Sequence, residues 1–212
     1  MSPSDPEVRM ATDSDPGKYR PLWASAVAGI LALSTALTSG SSAYGATVAA
    51  TAATCLEGQK DSRGRSSVDG TEIAWEDETR YDDARIHATA VWTANGLNRI
   101  SFPRDDSFRI ADLEWSDINE TTGQWKNVGA AWTALPGTDR IRMNSAYLGA
   151  GKKYGSTAQR RQVAAHELGH ALGFCHKSPD WYPTLMAPNA YDGPSDGRPT
   201  SRDRANYHDL WG

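Results

Sequence analysis

Cysteine is nearly absent. The 212 residues contain two, Cys55 and Cys175, so at most one intramolecular disulfide can brace the fold. Positive charge is not in excess either. The formal net charge is −4, which leaves no global basic field to recruit nucleic acid or an anionic membrane surface. No apolar run reaches the roughly 20 residues that a membrane-crossing helix needs. The run from about Leu22 to Leu37 is shorter and is interrupted by Ser25, Ser34 and Thr35. The eight tryptophans are scattered and mark no repeat. Histidine is scarce too, at five residues, but three of the five fall between positions 166 and 176.

The first fifty residues have the pattern of an export signal. A polar stretch leads to Lys18 and Arg20, then comes the apolar run, then the small residues "TSGSSAYGATVAATAAT". This predicts a secretory signal peptide with a long polar n-region over 1–50, cut near Ala43-Tyr44-Gly45 or Val48-Ala49-Ala50. The competing reading is an uncut membrane anchor. No twin-arginine pair precedes the run, which points to a general export route. Residues 51–70 then form a linker or short propeptide, and 71–212 a single compact domain. Export sets an oxidising context in which Cys55 and Cys175 form a disulfide. The alternatives are two buried thiols, or a Cys55 thiolate that latches onto a metal.

Along the domain the pattern predicts strands at 71–79, 98–102, 108–117, 125–132 and 140–148, with a helix at 80–95 stopped by Asn95-Gly96. Ser156 and Gln159 open a second helix that runs to Leu172, with Gly173 suited to a left-handed terminal position. A long Pro-, Gly- and Asp-rich stretch follows, and "RDRANYHDLWG" closes the chain as a short helix. Strands first, then a helix, a loop and a helix indicate an α+β fold.

The segment "AHELGHALGFCH" carries the chemistry. On a helix His166 and His170 are one turn apart on one face, and two neutral imidazoles so placed can bind a single Zn²⁺. Glu167 lies about 100° around the helix, where it can serve a metal-bound water as general base. His176 would face away if the helix continued. Gly173 turns the chain sharply and lets His176 return as the third ligand.

The string H-E-x-x-H-x-x-G-x-x-H resembles the metzincin signature, and Met186 in "TLMAP" resembles the methionine turn of that family. "VAAHELGHALGFCH", "LMAP" and the closing "LWG" are most similar to matrixins of a small secreted bacterial type. The resemblance implies a metzincin-type zincin domain with a small mixed twisted sheet, an active-site helix and a C-terminal helix. It also implies a monomeric, secreted zinc endopeptidase for protein or peptide substrates, free of stable membrane association once the leader is gone. One catalytic zinc would be held by His166, His170 and His176, with Glu167 as general base and Gly173 and Met186 as structural support. An extended substrate would lie along the strand near Ile141 to Tyr147, with Asn144, Pro188 and Tyr191 in contact. Lys177 departs from the serine usual after the third histidine, and no cysteine latch in the matrixin style precedes the domain. Acidic residues in "YDGPSDGRPTSRD" are able to bind Ca²⁺ or to form turns. His87 and His208 read as ordinary helix residues. A zinc-stabilised binding module without catalysis is the competing function, and Glu167 separates the two.

Overall fold

The computed structural model describes residues 51–179, 182–189 and 192–212; the expected leader over 1–50 and Tyr191 lie outside the described residues. The fold is α+β, as the element order indicates. Four strands, β1 (Trp75–Asp77), β2 (Leu113–Ile118), β3 (Ala130–Thr133) and β4 (Asp139–Asn144), form one mixed sheet in the order β1-β2-β4-β3. β1, β2 and β4 run parallel, and β3 pairs antiparallel with β4.

Alternation decides which face is covered. Leu113 and Trp115 on β2 and Ile141 and Met143 on β4 are fully buried, while Arg140 and Glu114 pair on the opposite face. Against the buried face pack α1 (Asp82–Val91), through Ala84, Ala88 and Val91, and α3 (Thr157–Ala171), through Val163, Ala164, Leu168 and Ala171. Small residues on both helices allow close approach. Trp92 fills the space beside them, its indole N–H donating to the Ala165 carbonyl at 2.7 Å. Truncating a fully buried side chain such as Leu168 to alanine costs about 2–5 kcal/mol.

α3 begins as expected: the Ser156 hydroxyl accepts from the Gln159 N–H at 3.2 Å. It ends at Leu172, with Gly173 at φ 91°. α4 (Ser201–Trp211) starts at a capping box between Thr200 and Asp203.

The strand expectations shorten or fail: 71–79 keeps Trp75–Asp77 and 125–132 keeps its end in Ala130–Thr133. Residues 98–102 keep only an isolated parallel bridge of Ser101 to Glu72, because the N–H groups of Arg99 and Ile100 donate to the Tyr207 hydroxyl at 2.9 and 3.0 Å. Residues 108–112 precede β2 as a loop with Phe108 94% and Ile110 88% exposed, so the apolar pattern there is not a buried face. Residues 145–148 leave the sheet as a single helical turn, α2 (Ser145–Leu148), because the Asn144 side chain caps it by accepting from the Ala146 N–H. β4 is therefore flanked on both sides, and β3 is the strand at that end of the sheet.

Residues 53–67, read from sequence as linker or propeptide, are fastened across the domain. Ala53 exchanges hydrogen bonds with the Asn206 amide, Leu56 N–H donates to the His176 carbonyl, and Ser62 and Ser67 N–H donate to the carbonyls of Gly173 and Ala171. Cys55 and Cys175 form a disulfide with their Cα atoms 5.7 Å apart, which occupies the sulfur that a metal latch would need.

Candidate metal centre

Gly173 places the third histidine. Its φ of 91° is open to glycine and strained for other residues, and a Cβ there would also collide with the Ser62 carbonyl oxygen. The chain turns back, and the three Nε2 atoms converge: His166 to His170 is 3.0 Å, His166 to His176 is 3.3 Å and His170 to His176 is 3.1 Å. Tetrahedral ligands about 2.0–2.1 Å from one zinc stand about 3.3–3.4 Å apart, so the cage is the size that zinc needs. His166 and His176 are buried and His170 half-buried.

The far side of two rings is fixed. Nδ1 of His166 donates to the Leu185 carbonyl and Nδ1 of His170 to the Phe174 carbonyl, both at 2.7 Å. A carbonyl oxygen only accepts, so each Nδ1 carries the proton and each Nε2 offers a lone pair inward. Burial favours the neutral imidazole. It holds His166 well below the ordinary value and takes His170 down to about 3 and His176 to about 4, with mutual repulsion adding to the first two. Neutral histidine is the metal-binding form.

Glu167 is buried on the same helix. Its Oε2 accepts the main-chain N–H of Trp132 at 2.7 Å, whereas Oε1 is buried with no partner in the protein. Burial pushes this carboxyl up to about 8 and the Trp132 bond only partly opposes that. Trp132 is tied in turn. Its indole N–H donates to the Ser67 hydroxyl at 3.0 Å, which donates to Asp139 at 2.7 Å, and its ring stacks on His170. Three inward Nε2 lone pairs suit one zinc ion, and the helix that carries two of them also carries a buried carboxylate oxygen without a partner.

Met186 packs against the histidine helix at Gly169. It is buried, and a Cβ on Gly169 would run into its sulfur. Asp203 holds this turn, accepting from the Thr184 hydroxyl at 2.5 Å and from the Leu185 N–H at 2.8 Å. Asp203 thus positions the carbonyl that orients His166. The local sequence signal for it is the Thr200-to-Asp203 capping spacing. Lys177, the departure from the matrixin pattern, is 1% exposed, with its ammonium on Asp61 and 3.3 Å from the Cys55 sulfur.

Of the substrate-contact expectations, Asn144 is corrected. It is fully buried, and its amide donates to the carbonyls of Glu120 and Val128 at 2.7 and 2.9 Å, so it is a structural clamp. Pro188 is half-buried after the methionine turn, and Tyr191 lies outside the described residues. In the stretch considered for Ca²⁺, Asp203 is spent on Thr184, Leu185 and Thr200, and Asp196 accepts from the Arg198 N–H. His87 is half-buried with Nε2 3.2 Å from the Gly197 carbonyl, not an exposed helix residue.

No family model and no curated protein matches the sequence. Similar solved structures include myroilysin, at 16% identity over 54% of this chain and 53% of that chain, with a TM-score of 0.35. Another is high choriolytic enzyme 1, a hatching enzyme zinc-protease from Oryzias latipes (medaka fish), at 16% identity over 55% of this chain and 48% of that one, with a TM-score of 0.33. The chain spans about half the length of each. At that level of likeness the functional reading rests on the histidine cage itself.

Proposed function

We propose that the protein is a secreted zinc endopeptidase of the metzincin, matrixin-like kind, with Glu167 as general base. The observation that carries the reading is a three-nitrogen cage joined to a buried carboxylate whose Oε1 has no partner. A purely structural zinc site closes its fourth position with a protein ligand and has no use for that carboxylate.

His166, His170 and His176 would hold the ion through Nε2. Zinc so held supplies a water of lowered pKa, near 7, and a Lewis acid for the scissile carbonyl. Glu167 accepts the proton at Oε1 while Oε2 stays on the Trp132 N–H, and then delivers it to the departing amine. A carboxyl raised toward the working pH is suited to both tasks. An extended peptide would add to β3, the sheet-end strand whose Trp132 holds Glu167, rather than to β4. The disulfide supports an oxidising, extracellular destination, and the fastening of 53–67 supports its retention in the mature protein.

Casein digestion by the purified protein, with and without a zinc chelator and beside Glu167→Gln, tests this. Chelation should abolish digestion, and the variant should lose about 10²–10⁴-fold with zinc content unchanged. Full activity in the variant, or digestion that survives chelation, would overturn it.

A further inference from the structure

The open cleft beside the histidines is lined by Trp132, His170 and His176 and by Gln59 and Arg65 of the 53–67 segment. Apart from the imidazoles, Arg65 is the charged side chain in that lining. Like Arg63, Arg99, Arg160 and Arg204, it meets a main-chain carbonyl, whereas other arginines of the domain meet carboxylates. The guanidinium groups of Arg80, Arg85, Arg109, Arg140 and Arg161 each meet a carboxylate. Among the described residues none pairs with Arg65, whose Nη2 donates to the Lys60 carbonyl. That bond steadies the arm and leaves most of a five-donor fork unused.

The placement is fixed by the same turn that builds the metal cage. The Arg65 N–H donates to the Ser62 carbonyl at 3.2 Å, and the Ser62 N–H to the Gly173 carbonyl at 3.0 Å. The disulfide to Cys175, next to His176, pins the segment from its other end. The neighbouring ammonium of Lys177 is already spent on Asp61, whereas the Arg65 guanidinium lines the cleft and meets a main-chain carbonyl. Glu167 is the opposing acid in the site, and its Oε2 is held on Trp132.

We infer that Arg65, with the Gln59 amide beside it, forms a carboxylate-binding subsite of the cleft, selecting peptides that present a carboxylate next to the bond to be cut. The inference rests on the peptidase reading. The guanidinium fork matches a carboxylate in two parallel hydrogen bonds, and the aromatic wall of Trp132 keeps bulk water from screening them. The carboxylate comes from an Asp or Glu side chain or from a free chain terminus.

The zinc-loaded protein carrying Glu167→Gln holds a peptide uncut and is titrated calorimetrically with three probes. They are acetyl-Ala-Ala-Glu-Leu-Ala-Ala-amide, its Gln counterpart, and the Gln peptide with a free C-terminus. At least one carboxylate peptide should bind about tenfold more tightly than the blocked Gln peptide. The stronger of the two identifies the source. Adding Arg65→Gln should remove the preference, Arg65→Lys should keep part of it, and Arg65→Glu should reverse it. Equal affinities for all three peptides would overturn the subsite, as would a preference that survives both Arg65→Gln and Arg65→Glu. Zinc-dependent casein digestion without any such preference would leave the peptidase reading standing and the subsite refuted. An Arg65-dependent preference without digestion would leave a peptide-binding site and refute the peptidase.

Discussion

The main-chain N–H of Trp132 donates to Oε2 of Glu167 at 2.7 Å, so the sheet-end strand and the histidine-bearing helix meet on one carboxylate. The bond divides the two oxygens. One is fixed, and the other is buried without a partner on the helix that carries two of the three imidazoles.

The buried carboxyl makes stability depend on pH in the chelated protein. Burial raises Glu167 from 4.5 to about 8, so the folded state holds a proton that the unfolded chain has released between those values. The sign follows: this contribution is full below about pH 4.5 and is lost as pH rises toward 8. Glu167→Gln removes the dependence. In zinc-free protein the variant should be more stable than the parent at pH 8, by on the order of 2–5 kcal/mol, and close to it at pH 4.5. Thermal melts at the two pH values check this, and an equal offset at both would contradict it.

The histidines give the opposite limb. Their folded values lie below the ordinary 6.5, at about 3 for His170 and about 4 for His176, so the unfolded chain binds the extra protons first. Stability is kept above about pH 6.5 and lost as pH falls toward 4. Zinc release should follow the same direction, because the ligands must be neutral. Zinc content after dialysis across pH 7.5 to 4.5 should fall steeply below pH 6. Retention at pH 4.5 would contradict the three-imidazole assignment.

Asp203 touches no histidine, yet it holds the Leu185 N–H whose carbonyl orients His166. Asp203→Ala should lower zinc affinity about 10–100-fold, as expected for a residue that aims a ligand. It should also destabilise the fold by about 2–4 kcal/mol through its buried, unmatched donors. A chelator competition and a urea titration measure the two. Unchanged zinc affinity would remove Asp203 from the account of the site.

Cys55 and Cys175 are 120 residues apart, and their bridge fastens the segment that carries Arg65 to the loop that carries His176. Cys55→Ser with Cys175→Ser should cost about 2–5 kcal/mol in stability and make residues 53–67 a site of early proteolysis. A variant as stable and as protease-resistant as the parent would show that the hydrogen bonds of the segment suffice alone.

The histidine helix was legible in the sequence because its signals are local. Ser156 caps, the i and i+4 histidines share a face, and Gly173 ends the helix where a positive φ is needed. Strand order was not legible. Alternation along Asp139–Asn144 reports a buried face but not which neighbours flank it, and β3 rather than β4 stands at that end of the sheet. The apolar Phe108 and Ile110 suggested a longer strand and are exposed. The fastening of 53–67 depends on partners as distant as Asn206, Lys177 and Gly173, and no local pattern announces such contacts.

The most direct test is zinc-edge X-ray absorption on the zinc-loaded protein. The account predicts three imidazole nitrogens at about 2.0–2.1 Å and one oxygen, with one imidazole lost in His176→Ala. A shell with sulfur, or with two imidazoles in the unaltered protein, would contradict it.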